Sequence, residues 1–201
     1  MRAQSANGLR SVVISSTLKG EGKTLTAMNL SLSCAQLQDT RILLVDSDLR
    51  TRGLTHLIGF PAAPGLAEVL AGKAQFQDAI LATDLPNLFI LAAGSPPAAP
   101  AELYAGDRWR ELIGWCAESF KLILVDSPPI MPLTDFDLIT SACDGVLVVV
   151  RALRTQRELL QKAADQVDKQ KLLGAVFNAA SLNGTGAYYY YGYGYGSNGQ
   201  K

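Results

Sequence analysis

The chain of 201 residues is poor in the features that mark secreted, membrane-spanning or nucleic-acid-coating proteins. Cysteine is scarce: Cys34, Cys116 and Cys143 are scattered through apolar or helical patterns. They read as reduced core residues, which fits a cytosolic protein and excludes a disulfide framework. No stretch of about 18 apolar residues exists, so no membrane-spanning helix is expected. Met1 to Arg10 carries no apolar segment of the signal-peptide kind. Lys plus Arg and Asp plus Glu balance at 18 each, so bulk charge does not point to nucleic acid. The single histidine, His56, sits in Leu54-Thr55-His56-Leu57 and is expected to be structural or at the surface. No aliphatic residue follows Ala187. The segment from Ser181 onward therefore lacks the means to form a packed core and is expected to be a mobile tail.

What remains is enough for one domain, expected over residues 1–180 with a tail over 181–201. Apolar residues make up 48% of the chain, enough for a buried core. Only about ten residues precede the first strand pattern, as in a fragment of a longer chain or one half of a split system. Strands are expected at Ser11–Ser15, Arg41–Asp46, Leu88–Ala92, Lys121–Asp126, Gly145–Val150 and Leu172–Phe177. Helices are expected at Lys23–Gln38, Gly65–Ala71, Phe76–Ala82, Asp107–Ser119, Thr134–Cys143 and Thr155–Lys169. Strands apolar on both faces, alternating with helices, predict a mostly parallel sheet with helices on both faces, an α/β three-layer sandwich. The prolines of Gly94–Pro100 predict a rigid loop without helix or sheet.

The first strand pattern runs into Ser15-Ser16-Thr17-Leu18-Lys19-Gly20-Glu21-Gly22-Lys23-Thr24. A strand, a glycine-bearing turn and a helix opening on Gly-Lys-Thr make a phosphate cradle. Glycines let backbone N–H groups approach phosphate oxygens, and the helix N-terminus adds a favourable dipole. Lys23 is placed to reach the outer phosphates and Thr24 to hold Mg²⁺. The usual pattern wants glycine where Thr17 stands. Gly20 and Gly22 supply the flexibility instead, which makes this an atypical P-loop.

Two strand patterns end in aspartate. Asp46 and Asp48 lie two residues apart, so extended chain points both to one side, and Arg50 continues the alternation. Ligands of open parallel sheets bind at the carboxyl ends of strands, which puts Asp46, Asp48 and Asp126 beside the phosphate loop. Mg²⁺ is usually held by one or two carboxylates plus substrate phosphates. Phosphoryl transfer to a hydroxyl also wants a carboxylate to orient or deprotonate the nucleophile. Asp126 suits a metal-water ligand and Asp46 or Asp48 the base. Arg151 and Asn178 end the last two strands, where they either touch the base or ribose of a nucleotide or cap the sheet. The tail holds six of the seven tyrosines, Tyr188, Tyr189, Tyr190, Tyr191, Tyr193 and Tyr195. Such a segment is a sticky low-complexity stretch, a stacking platform or a set of phosphate acceptors. With Lys201 as its one basic residue, the acceptor reading is favoured. Each modified site would gain about −1.5 to −2 charges.

With these residues in view, the chain resembles the catalytic domain of bacterial tyrosine kinases, the P-loop autokinases of capsule and exopolysaccharide export. The loop Ser15–Thr24 looks like that family's Walker A. Ile42-Leu43-Leu44-Val45-Asp46-Ser47-Asp48-Leu49-Arg50 looks like its Walker A′, and Ile123-Leu124-Val125-Asp126-Ser127-Pro128-Pro129 like its Walker B. Gly65–Gly72, Pro96–Leu103 and the tyrosine cluster are also family-like. The resemblance implies a P-loop NTPase fold of the MinD/ParA kind, with ATP and Mg²⁺ as cofactors. It implies nucleotide contacts from Gly20, Glu21, Gly22, Lys23, Thr24, Leu25, Arg151 and Asn178. Metal contacts would come from Thr24, Asp48 and Asp126, and catalytic roles from Lys23, Asp46, Asp48 and Asp126. It further implies an acceptor tyrosine from a neighbouring copy in a homo-oligomer. The implied activator is a membrane chain-length-determinant (co-polymerase) protein, either a separate chain or a missing N-terminal part. That partner would hold a cytoplasmic kinase at the inner face of the membrane. Two features depart from the family: Lys19 stands where proline is common, and the N-terminal Glu-x-x-Arg-x-x-Arg helix used in oligomer contacts is absent. Two other functions share much of this pattern. One is a MinD/ParA-like ATPase switch, though the extra lysine of that group falls at Leu18 here. The other is an ATP-binding scaffold without turnover.

Overall fold

In a computed structural model, the structure describes residues 8–59, 64–131 and 135–180. The tyrosine segment and the tail boundary at 181 lie outside the described residues. The strands are β1 (Ser11–Ser16), β2 (Ile42–Asp46), β3 (Ile80–Ala82), β4 (Leu88–Leu91), β5 (Leu122–Asp126), β6 (Gly145–Arg151) and β7 (Leu172–Asn178). They form one seven-stranded sheet in the order β3-β4-β2-β5-β1-β6-β7. All neighbours pair in parallel except β3, which runs antiparallel to β4 at the edge.

The helices are α1 (Lys23–Ala35), α2 (Gly53–Ile58), α3 (Leu66–Leu70), α4 (Phe76–Ala79), α5 (Pro100–Ala105), α6 (Arg108–Ser119), α7 (Asp135–Ser141) and α8 (Arg157–Gln166). The period-two alternation of a strand sends successive side chains to opposite faces. In β2, Leu43 and Val45 join a large cluster with residues of α3, α5, α6 and α7 such as Leu66, Tyr104, Trp109 and Phe136. Ile42 and Leu44 join a second cluster with Ala27 and Cys34 of α1 and Leu54 of α2. The sheet is thus covered on both faces, as a parallel sheet with continuous apolar strands requires. All three cysteines are free and buried. No helix among the described residues is long and apolar enough to cross a membrane.

Four local expectations change. The stretch read as one helix over Phe76–Ala82 is the short α4 followed directly by β3, because Ile80 and Leu81 pair with Leu91 and Ile90 of β4. Pro100 opens α5 at its first turn, where a missing N–H costs nothing. Helix α2, unmarked by any long apolar pattern, begins at Gly53 because Arg52 adopts a left-handed φ of 49° as its cap. The first helix stops at Ala35, with Leu37 N–H bonded back to Cys34.

Candidate active site

The sheet order places β2, β5 and β1 side by side, so the three acidic or phosphate-binding segments emerge at one end. Asp46 and Asp126 are register partners on β2 and β5. Gly22, with φ 98°, turns the chain from the loop into α1. A side chain could not stand there: a Cβ on Gly22 would overlap Asn178 Nδ2. The result is a cavity of about 1,020 Å³ lined by the P-loop, Asp48, Arg50, Thr51, Pro129 and Met131.

Lys23 is the pivot. Its side chain is nearly buried, with Nζ 3.3 Å from Asp48 Oδ2 and 3.9 Å from Asp126 Oδ1. Asp48 also accepts the Thr51 N–H at 3.0 Å and the Thr51 hydroxyl at 2.7 Å. Asp126 is wholly buried, and neither of its carboxylate oxygens has a hydrogen-bond partner. Burial therefore pushes its carboxyl up to about 7, against the pull of Lys23. A buried carboxylate whose nearest cation is Lys23 at 3.9 Å is only partly compensated, and a divalent cation removes the remaining cost. This orphaned pair of oxygens, with the Thr24 hydroxyl on the same cavity and Nζ of Lys23 3.5 Å from it, fits Mg²⁺ and its oxygen chemistry.

Asp46 is tied differently. Its Oδ2 accepts both the N–H and the hydroxyl of Thr55, at 2.8 and 2.7 Å. Its Oδ1 receives one long bond from Asp48 N–H at 3.3 Å. Burial raises its pKa, and the Thr55 bonds offset this only in part. Thr55 Oγ1 in turn accepts the N–H of Ala93, so Asp46 fastens α2 to the ends of β2 and β4. Asp46 does not line the cavity, whereas Asp48 does.

Six residues carry roles that local sequence reasoning did not assign. Arg50 does not simply continue the aspartate alternation. It donates from Nε and Nη2 to the buried Asp135, at 2.7 and 3.1 Å, while 43% of its side chain stays exposed on the cavity. Asp135 thereby sets the plane of a cationic fork beside the phosphate loop. Glu21 is buried in the loop itself. It accepts the Leu18 N–H at 2.9 Å and the hydroxyl of Thr155 from across the sheet. Arg151 and Asn178 both line the cavity, and both hold the loop's backbone. Arg151 donates to Gly20 O at 3.0 Å and Asn178 to Glu21 O at 2.9 Å. Gly20, Glu21 and Gly22 are thus clamped to the ends of β6 and β7. Leu25, more than half exposed, offers the cavity an apolar surface. His56 is exposed and does not line the cavity.

The chain matches the AAA domain family over residues 9–171. It is 33% identical over 177 residues to tyrosine-protein kinase YwqD of Bacillus subtilis, covering 87% of this chain and 74% of YwqD. The chain belongs to the bacterial tyrosine-protein kinases. The kinase is also 32% identical over 190 residues to tyrosine-protein kinase Wzc of Salmonella typhi, matching 92% of itself but 26% of Wzc. The same domain therefore occurs within much longer chains. In structure, the kinase domain of Escherichia coli tyrosine kinase ETK superposes with a TM-score of 0.81 at 25% identity, covering 96% of this kinase and 76% of that chain. The septum site-determining protein MinD of Pyrococcus horikoshii, in complex with Mg-ADP, gives 0.70 at 25% identity, over 84% and 69%. The kinase shares its P-loop NTPase fold with both, and the fold is one that binds nucleotide.

Proposed function

We propose that this kinase transfers the γ-phosphoryl group of MgATP to the tyrosines of its own C-terminal segment, and that the transfer regulates capsule or exopolysaccharide export. One observation carries the acceptor assignment. The chain has seven tyrosines, and the one outside the tail, Tyr104, is 4% exposed with its hydroxyl donated to Ser47 O at 2.7 Å. Burial and the nearby aspartates also hold the Tyr104 hydroxyl well above its usual pKa. Autophosphorylation on tyrosine therefore falls to Tyr188–Tyr191, Tyr193 and Tyr195.

The division of labour follows from the chemistry. Backbone N–H groups of Gly20–Thr24 and the start of α1 bind phosphate oxygens. Lys23, held between Asp48 and Asp126, turns its charge to the outer phosphates. Thr24, Asp48 and Asp126 would hold Mg²⁺, which when bound would supply charge neutralisation at the phosphate oxygens. Arg50, oriented by Asp135, adds a fixed positive fork where charge builds on the transferring group. The base work falls to the Asp46–Asp48 pair. Asp48 faces the cavity, and Asp46, off the cavity, positions it by accepting the Asp48 N–H while holding α2 through Thr55. A phenol titrates near 10, so positioning of the hydroxyl against a carboxylate matters more than prior ionisation. Glu21, Arg151 and Asn178 keep the loop's shape.

The activating partner is a membrane chain-length-determinant protein, which holds the kinase at the cytoplasmic face of the membrane. The acceptor segment comes from a neighbouring copy. The test is to incubate phosphate-free protein with MgATP, with the activator present, and to map phosphate by mass spectrometry beside Lys23→Met. Phosphate on Tyr188–Tyr195 in the parent alone is expected. Phosphate release without phosphotyrosine would instead mark an ATPase switch, and neither product a scaffold.

A further inference from the structure

The amino ends of the strands, opposite the phosphate site, carry a second set of groups that the transfer reaction does not use. Arg41 stands immediately before β2, Phe89 near the start of β4, and Phe120 between α6 and β5. The chain is pinned on both sides of Arg41. Its carbonyl accepts the Lys121 N–H at 2.9 Å, and the Ile42 N–H donates to Asn87 O at 2.7 Å. The Arg41 guanidinium lies over the Phe89 ring at 4.7 Å and the Phe120 ring at 5.1 Å. Those two rings meet edge to face at 5.4 Å, so the cation rests on a fixed platform.

Stacking uses the face of a guanidinium and leaves its N–H edge for an anion. Among the described residues that edge donates no hydrogen bond and joins no ion pair. Beside it opens a hollow of about 190 Å³, walled by Ile80, Phe89, Trp115 and Phe120. Trp115 is propped in turn by Phe76, with ring centroids 5.8 Å apart. The Gln77 amide and the Ser119 hydroxyl stand exposed on the same hollow, and neither has a partner among the described residues. Arg41 is the one charged residue that lines it. The volume is below that of drug-sized ligand sites, so the hollow suits a single side chain.

We infer that this hollow receives a phosphotyrosine side chain of the kinase's own Tyr/Gly segment; this rests on the acceptor assignment proposed above. The walls ask for an apolar ring, and the cation at their edge asks for a strong anion that accepts two parallel N–H bonds. Phosphotyrosine joins the two in one side chain. Its ring packs on Trp115 and Phe89, and its phosphate meets the Arg41 fork, with Gln77 and Ser119 as further donors. Phosphorylation brings about −1.5 to −2 charges and three acceptor oxygens. The unmodified phenol brings no charge at neutral pH, so the hollow separates product from unreacted segment. Tyr193 and Tyr195 have glycine on both sides, which keeps neighbouring bulk away from the mouth of so small a site. The surrounding charge also favours an anion. An adjoining hollow of about 180 Å³ shares Arg41, and there Arg10, Arg41 and Lys121 face the two carboxylates of Asp39 and Glu118.

The test uses the full-length kinase, free of phosphate and nucleotide, and a fluorescent peptide of residues 191–198 phosphorylated at Tyr193, with affinity read by anisotropy. The phosphopeptide is expected to bind at least about 10-fold more tightly than the unmodified peptide. Arg41→Gln is expected to weaken it about 10-fold, and Arg41→Lys, which keeps the charge but loses the fork, about 3-fold. Gln77→Glu, an exposed change that sets a like charge beside the phosphate, is expected to weaken it about 5-fold. All three variants are expected to keep the parent's Tm and KM for ATP. Equal affinity for the two peptides overturns the inference. So does a phosphopeptide that binds Arg41→Gln and Gln77→Glu as it binds the parent. A Tyr193→Glu peptide that binds as tightly as the phosphopeptide overturns it too, and marks a receptor for acidic segments of another protein. Binding is read here without transfer, so the two claims fail separately. Phosphate mapped on the tail of the active kinase, with no phosphopeptide binding, refutes the docking site alone. Phosphopeptide binding with no phosphate mapped on that tail refutes the acceptor assignment, and with it the source of the ligand.

Discussion

Replacing Asp126 by asparagine should stabilise this kinase at neutral and alkaline pH while destroying its activity. The carboxylate is wholly buried, with Lys23 3.9 Å away as its nearest cation, and burial pushes its pKa from 3.8 up to about 7 against the pull of Lys23 and Thr24. Between those two values the folded chain holds a proton on Asp126 that the unfolded chain has released. The stabilising contribution is therefore fully present below pH 3.8 and is lost as pH rises through about 7. The gap corresponds to about 4 kcal/mol in full. Asparagine brings its own unpaired amide, so a net gain of about 2 kcal/mol at pH 8 is reasonable. For a chain of this length that is roughly 4–8 °C in Tm. The assay is thermal unfolding of parent and Asp126→Asn from pH 4.5 to 8.5, without nucleotide and with chelator. The parent's penalty accrues between pH 3.8 and about 7, so the variant's advantage should emerge above about pH 5 and level off above about pH 7. Adding Mg²⁺ and ATP should narrow it, because the parent alone gains the cation. A variant less stable than the parent at every pH would refute the reasoning, since it would mean that Asp126 is a satisfied structural anchor.

Other perturbations separate the remaining roles. Asp48→Asn should raise the Mg²⁺ requirement of phosphotransfer several-fold, whereas Asp46→Asn should lower kcat by roughly 100-fold with the Mg²⁺ dependence unchanged; a Mg²⁺ titration of initial rates distinguishes them. Arg50→Lys keeps charge but loses the fork that Asp135 orients, so kcat should fall about 10-fold or more with little change in the KM for ATP. Gly22→Ala combines a left-handed φ with a Cβ that overlaps Asn178; binding of a fluorescent ATP analogue should weaken at least 10-fold. Thr155→Val removes the hydroxyl that meets Glu21 and should raise the KM for ATP a few-fold while leaving phosphotyrosine sites unchanged.

The parts of this site that were legible in the sequence are those carried by contiguous residues. The strand-turn-helix around Gly20–Thr24 and the aspartates ending β2 and β5 announce themselves through local pattern, because period-two burial and a glycine-bearing turn leave a signature within a few residues. The parallel sheet follows from the same local signal. What stayed hidden is non-local. Arg50 and Asp135 meet across 85 residues, and Glu21 and Thr155 across 134. No spacing rule links such positions, although a buried acidic residue next to an apolar helix start is a hint for Asp135. The short elements escaped for a different reason. Helix α2 and strand β3 have six and three residues, too few to establish a period, and they form because tertiary partners hold them: Asp46 on Thr55 for the first, β4 for the second. Arg151 and Asn178 were placed at the right end of the sheet, but their donors turn to the loop's carbonyls, which only the folded geometry reveals.

The central claim is that the phosphate site built on Lys23, Asp48 and Asp126 delivers phosphate to the tail tyrosines. The most direct measurement is the phosphate incorporated per chain by the full-length kinase with its activator, beside a chain in which all six tail tyrosines are phenylalanine. The account predicts phosphotyrosine on the parent and essentially none on the phenylalanine chain, with ATP binding the same in both. Phosphotyrosine that persists at Tyr104 in the phenylalanine chain would contradict it, as would a parent that consumes ATP and acquires none.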